Sequence, residues 1–119
     1  MRVAVASTGR TADSQLDSRF GRAPVFMVYD TETGEYQAVD NGMNLNSAQG
    51  AGIQTAQNIA ATGAEAVIGA NFGPKAVLVL QTASIRMYLC QSGTVAEAVE
   101  KFKAGELQEL TAANVRSHW

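Results

Sequence analysis

Three arginines, Arg10, Arg19 and Arg22, fall in one polar stretch between Ser7 and Pro24. A guanidinium is a permanently charged, fork-shaped donor, suited to an anion that presents several acceptor atoms. Two further segments offer similar chemistry from the backbone. Asn71-Phe72-Gly73-Pro74, followed by Lys75, places a proline at the first position of a helix, and Gly93-Thr94 precedes another. First-turn amides at such starts attract negative charge. Gly50 and Gly52 allow close approach of backbone to a ligand. Cys90, beside a glycine turn, is either a buried core thiol or a soft ligand for a metal. The sum describes a site for a compact anion.

Each segment also has an ordinary reading. The arginines could be solvated or paired with Asp13 and Asp17, and the glycines could be simple turns. Met27, Phe72 and Trp119 suit packing, and Met43 and His118 sit in polar or weakly anchored stretches. What favours a functional reading is the place these loops take in the fold. That place follows from the elements around them.

Arg2 to Ser7 is a short apolar, β-branched run and reads as a buried strand. Val25–Asp30 and Glu35–Asp40, joined by Thr31-Glu32-Thr33-Gly34, read as an antiparallel hairpin. A helix spans Ile53 to Ala61 and stops at Gly63. Ala64–Ala70 and Ile85–Cys90 read as strands. Lys75 to Ser84 reads as a helix, although the continuous apolar run Ala76–Leu80 suits a strand equally well by periodicity. Thr94 with Glu97 forms a capping box for a last helix ending at Gly105. Residues 108–119 read as a tail on a domain of residues 1–107. The two βα repeats demand parallel strands, so the expected fold is α/β: a mixed five-stranded sheet with helices on both faces. The loops after Ser7, Ala70 and Cys90 would then share the carboxyl edge of the parallel strands, where open α/β sheets bind ligands.

The composition narrows the chemistry. With 119 residues the chain fits one domain. One cysteine and one histidine cannot cage a bare metal ion. A net charge of −2 argues against a broad nucleic-acid surface. No apolar run is long enough to span a bilayer, and Met1 to Ser7 is too short for a secretory leader, so a cytoplasmic location is expected. There is no G-x-S-x-G, Walker A or HExxH motif, and the first strand carries no carboxylate for a two-metal centre. An enzyme is therefore not expected. A protein-interaction or regulatory module without any cofactor is the alternative to a binding protein.

The string Leu16-Asp17-Ser18-Arg19-Phe20-Gly21-Arg22-Ala23-Pro24, leading into Phe26-Met27-Val28-Tyr29-Asp30, resembles the dinitrogenase iron-molybdenum cofactor biosynthesis family, with its NifX-like and NifB C-terminal-like domains. Gly50-Ala51-Gly52-Ile53, Ala66-Val67-Ile68 with Gly73-Pro74, and Gly93-Thr94-Val95 with Ala98 match in order, over about residues 1 to 107. The resemblance implies a ribonuclease H-like three-layer α/β/α fold whose sheet has one antiparallel strand. It also implies a carrier for a metal–sulfur cluster or its precursor, with a protein partner for cluster transfer. Small stand-alone members look like the orange protein of sulfate-reducing bacteria, which carries a molybdenum–copper sulfide cluster. On this basis Arg10, Arg19, Phe20, Gly21, Arg22, Gly50, Gly52, Asn71, Gly73, Lys75, Gly93 and Thr94 are the expected cluster-binding residues, and Cys90 the one candidate metal ligand. Members linked to the nitrogenase cofactor often carry histidine where Arg19 stands. That exchange favours capture of an anionic cluster, either Mo–Cu sulfide or Fe–Mo in type, over direct coordination.

Overall fold

The structure is a computed structural model and describes residues 1–41 and 51–113. Along the chain come β1 (Arg2–Ser7), a single 3-10 turn (Phe20–Arg22), β2 (Val25–Asp30), β3 (Tyr36–Asp40), α1 (Ala51–Ala61) and β4 (Ala66–Gly69). Then follow α2 (Pro74–Thr82), β5 (Arg86–Leu89), α3 (Val95–Lys103) and β6 (Gln108–Leu110). The strands form one sheet in the order β3-β2-β1-β4-β5-β6.

The pairing is mixed. β1, β4 and β5 are parallel, whereas β2 is antiparallel to both β1 and β3. Among the described residues the sheet thus has six strands rather than five, and β6 adds a second antiparallel strand against β5. The added strand comes from the segment expected to be a tail. It escapes sequence reading because it is three residues long and mostly exposed, with no apolar alternation.

β1 is buried on both faces, and its two sets of side chains serve different layers. Val3 and Val5 join Met27, Ile68, Val95 and Val99 under α3. Ala4 and Ala6 face the layer built by α1 and α2. Their small side chains leave space for three phenylalanines. Phe20 lies edge-on to Phe26 at 5.6 Å and tilted against Phe72 at 5.0 Å between ring centroids. The close approach continues to Gly69, where a Cβ would meet the Phe72 ring at 3.1 Å. Helix packing settles the ambiguous run Ala76–Leu80: Pro74 opens α2, and Ala76, Val77 and Leu80 are buried at helical spacing.

The hairpin forms as its residues dictate. Gly34 takes a positive φ of 75°, and the Asp30 carboxylate accepts the Glu32 amide at 2.8 Å.

Candidate functional site

Parallel register sets the ends of β1, β4 and β5 level, since Val5 pairs with Ile68 and Ile68 with Tyr88. The three following loops therefore meet on one edge. The first is long, and its path is fixed by hydrogen bonds. Thr8 N donates to Gln15 O at 3.0 Å, folding the loop back on itself, and Asp17 N donates to Ala6 O at 3.0 Å. Ser7 Oγ, fully buried, donates to Gly9 O at 2.7 Å.

The returning half of the loop is then stitched to both neighbours. Gln15 bridges to Thr94, and Leu16 N donates to Gly93 O at 3.0 Å. Arg19 bridges in parallel to Asn71, whose Nδ2 donates to Ser18 O at 2.7 Å. Asn71, Arg19, Gly93 and Thr94 are thus brought together as the sheet topology requires.

The arginines separate into different roles. Arg10 pairs with Asp40 at the end of β3, so its charge is engaged. Arg19 is half exposed, and its Nε lies 3.5 Å from Oδ1 of buried Asp17. The same carboxylate oxygen accepts the Arg19 amide at 2.9 Å, which fixes the residue's backbone. Arg22 closes the 3-10 turn, with its amide donating to Arg19 O at 3.1 Å. Asp17 is the acidic residue that holds Arg19.

Other candidates lie elsewhere. Phe20 and Gly21 are buried, and the Phe20 ring is a core anchor that cannot face a ligand. The Phe20 motif positions the flanking arginines by burying what lies between them. Gly52 is a buried residue inside α1, not a loop glycine. Gly50 lies outside the described residues, as do Met43, His118 and Trp119.

The two helix starts also differ. Thr94 Oγ1 accepts the Glu97 amide at 3.2 Å, and Glu97 Oε1 accepts the Thr94 amide at 2.8 Å, a complete capping box. Val95 N and Ala96 N donate to Ser14 O and Ala12 O of the long loop. The amides of α3 are therefore already used, and a carboxylate stands beside them. Those bonds hold the Glu97 carboxyl below the usual carboxylate range, chiefly through the Thr94 amide. Gly93, at φ 107°, would bring a Cβ within 3.1 Å of that carboxylate. At α2 the cap residue is Gly73, which supplies no side chain, and Pro74 and Lys75 follow, both exposed. Of the two starts, α2 is the one without a side-chain cap and with a cation in its first turn.

Cys90 is 5 % exposed and belongs to the α3-side core; its Sγ donates to Ser92 O at 3.4 Å. Among the described residues no three His, Cys, Asp or Glu side chains gather where they could hold a metal ion. The donor set of this edge is cationic and amide-rich, which suits an anion carrying its own ligands.

A buried polar group behind the turn gave no signal in the sequence. Asn41 and Thr55, both nearly inaccessible, link the end of β3 and the body of α1 to the carbonyls that flank Arg22. The partners lie 14, 18 and 34 residues apart along the chain, so no local pattern marks them.

Residues 1–105 match the family model described as dinitrogenase iron-molybdenum cofactor. Among solved structures, the chain is similar to the apo form of the orange protein from Desulfovibrio gigas, with a TM-score of 0.93, 37% identity and 96% of each chain covered. A NifB-like protein from Thermotoga superposes with a TM-score of 0.85 at 36% identity, covering 98% of each chain. An uncharacterized protein of Methanocaldococcus jannaschii is 31% identical over 101 residues, or 82% of this chain and 85% of that one.

Proposed function

The chain belongs to the dinitrogenase iron-molybdenum cofactor family, and from that premise we propose that it is a non-catalytic carrier of an anionic metal–sulfur cluster or its precursor. A cofactor-binding or carrier role fits both the family and the orange-protein neighbour. The cargo is a molybdenum-containing cluster, Mo–Cu sulfide or Fe–Mo in type, that brings its own sulfides.

One observation carries the proposal. The turn that holds Arg19 and Arg22 is pinned to Asn71, immediately before the α2 start that has no side-chain cap and bears Lys75. Three cations and a helix N-terminus are thereby held along one stretch of the sheet edge in a chain of net charge −2. Arg19, Arg22 and Lys75 supply charge, and Asn71 and the α2 amides supply directed donors. Arg10 acts at one remove by tying the loop to β3. Cys90 is not needed as a ligand, because it faces the core.

The strand order and the reversed β2 support a ribonuclease H-like name for the α/β architecture. A reduced, sulfide-bearing cargo and a single thiol suit the cytoplasm.

The test is titration of the protein with tetrathiomolybdate, with and without copper(I), followed by charge-transfer absorption. Saturable binding that weakens with ionic strength and in the Arg19→Ala, Arg22→Ala variant is expected. Absence of binding, or binding indifferent to both changes, would overturn the proposal.

A further inference from the structure

The arginine turn is gripped from two sides. On one side Asp17 and Asn71 hold Ser18 and Arg19, as described above. On the other, Asn41 Nδ2 donates to Ala23 O at 2.9 Å and to Thr55 Oγ1 at 3.0 Å. Thr55 Oγ1, on α1, in turn lies 3.4 Å from Gly21 O, to which it donates. Asn58 Nδ2 donates to Asn41 Oδ1 at 3.0 Å, and the Asn41 amide donates to Pro24 O at 2.8 Å.

Asn41 is 3 % exposed and Thr55 fully buried. Burying an amide and a hydroxyl is costly unless their bonds are made, and apolar residues of similar shape would fill the space without that cost. What the polar pair adds is direction. It fixes the carbonyls on both sides of Arg22, and hence the angle at which that side chain leaves the backbone.

We propose that Asn41 and Thr55 are positioning residues that aim Arg22 at the sheet edge and couple its turn to α1. For its ligand readout this rests on the anion-carrier reading; for its backbone readout it does not. Neither residue is exposed to a ligand, so an effect of either on binding is indirect.

The experiment compares Thr55→Val, which keeps the shape and removes the hydroxyl, with Thr55→Ser, which keeps the hydroxyl. Amide hydrogen exchange is measured well below the melting temperature, with the Val67 amide of β4 as internal reference. Relative to Val67, exchange at Arg22 is expected to quicken about tenfold in Thr55→Val and to stay within about twofold of wild type in Thr55→Ser. Tetrathiomolybdate affinity is expected to fall about tenfold in Thr55→Val, with no further loss when Arg22→Ala is already present. Should Thr55→Val fail to fold, Asn58→Ala serves, with about a threefold effect on both readouts. Unchanged relative exchange at Arg22, or an affinity loss that adds fully to that of Arg22→Ala, would overturn the inference. If the wild-type protein does not bind tetrathiomolybdate, the carrier reading falls and the exchange rates alone decide the positioning role.

Discussion

At the scale of single residues, chemistry and anchorage alternate along a few positions. Arg19 and Arg22 flank Phe20 and Gly21, and it is the buried ring that holds the charged neighbours at the surface. Phe20→Ala is expected to cost about 3–5 kcal/mol in chemical denaturation, because it empties a site shared by three aromatic rings. Single Arg19→Ala and Arg22→Ala changes should instead leave the melting temperature nearly unchanged and weaken tetrathiomolybdate about tenfold each, as measured by absorption titration. Cys90→Ser should separate the same two quantities in the opposite sense. It places a hydroxyl in the α3-side core and lowers stability by about 1–3 kcal/mol, with affinity held within about twofold. The sequence shows that arginines concentrate in this loop. It does not show that Arg10 is spent on Asp40, because that pair spans 30 residues and depends on where β3 ends.

At the scale of elements, local signals survive and relayed ones do not. The capping box of α3 is legible because Thr94 and Glu97 are three residues apart and act on each other. That the next two amides are filled by Ser14 and Ala12 is not legible, since those carbonyls arrive on a distant loop. The α3 start thus works as a structural clasp for the long loop, whereas the α2 start, which has no side-chain cap, is the one the carrier proposal assigns to the cargo. Thr94→Ala should lower the melting temperature by about 5 °C and loosen the loop, seen as faster exchange at Leu16. The Glu97 carboxyl is held below its ordinary value of 4.5 in the folded protein. Its contribution to stability is therefore full above the ordinary carboxylate range and is lost as pH falls through the lowered folded value. Melting temperatures taken from pH 6 down to pH 2 should fall less steeply in Glu97→Gln than in the parent.

At the scale of the whole molecule, the parallel core β1-β4-β5 sets three loop ends level, and everything proposed about the site depends on that alignment. This much follows from the apolar runs and the βα alternation. The sixth strand does not, because β6 is three residues long with a single apolar side chain, Leu110, packed on the core, and is otherwise held by backbone pairing and by Arg86, which grips both carboxylate oxygens of Glu109. Ending the chain at Leu107 should uncover the pairing edge of β5. Lower stability and concentration-dependent association, read by light scattering, are the expected consequences. The Arg19–Arg22 turn lies on a different part of the sheet, and its affinity should persist in the monomeric fraction.

The most direct measurement is metal and acid-labile sulfide analysis of the protein purified anaerobically from its native host, alongside Cys90→Ser and the Arg19→Ala, Arg22→Ala double variant. Molybdenum accompanied by acid-labile sulfide, kept in Cys90→Ser and lost in the double variant, is the expected result. Metal without sulfide, or metal whose retention requires Cys90 and ignores the arginines, would contradict the anionic-cluster carrier.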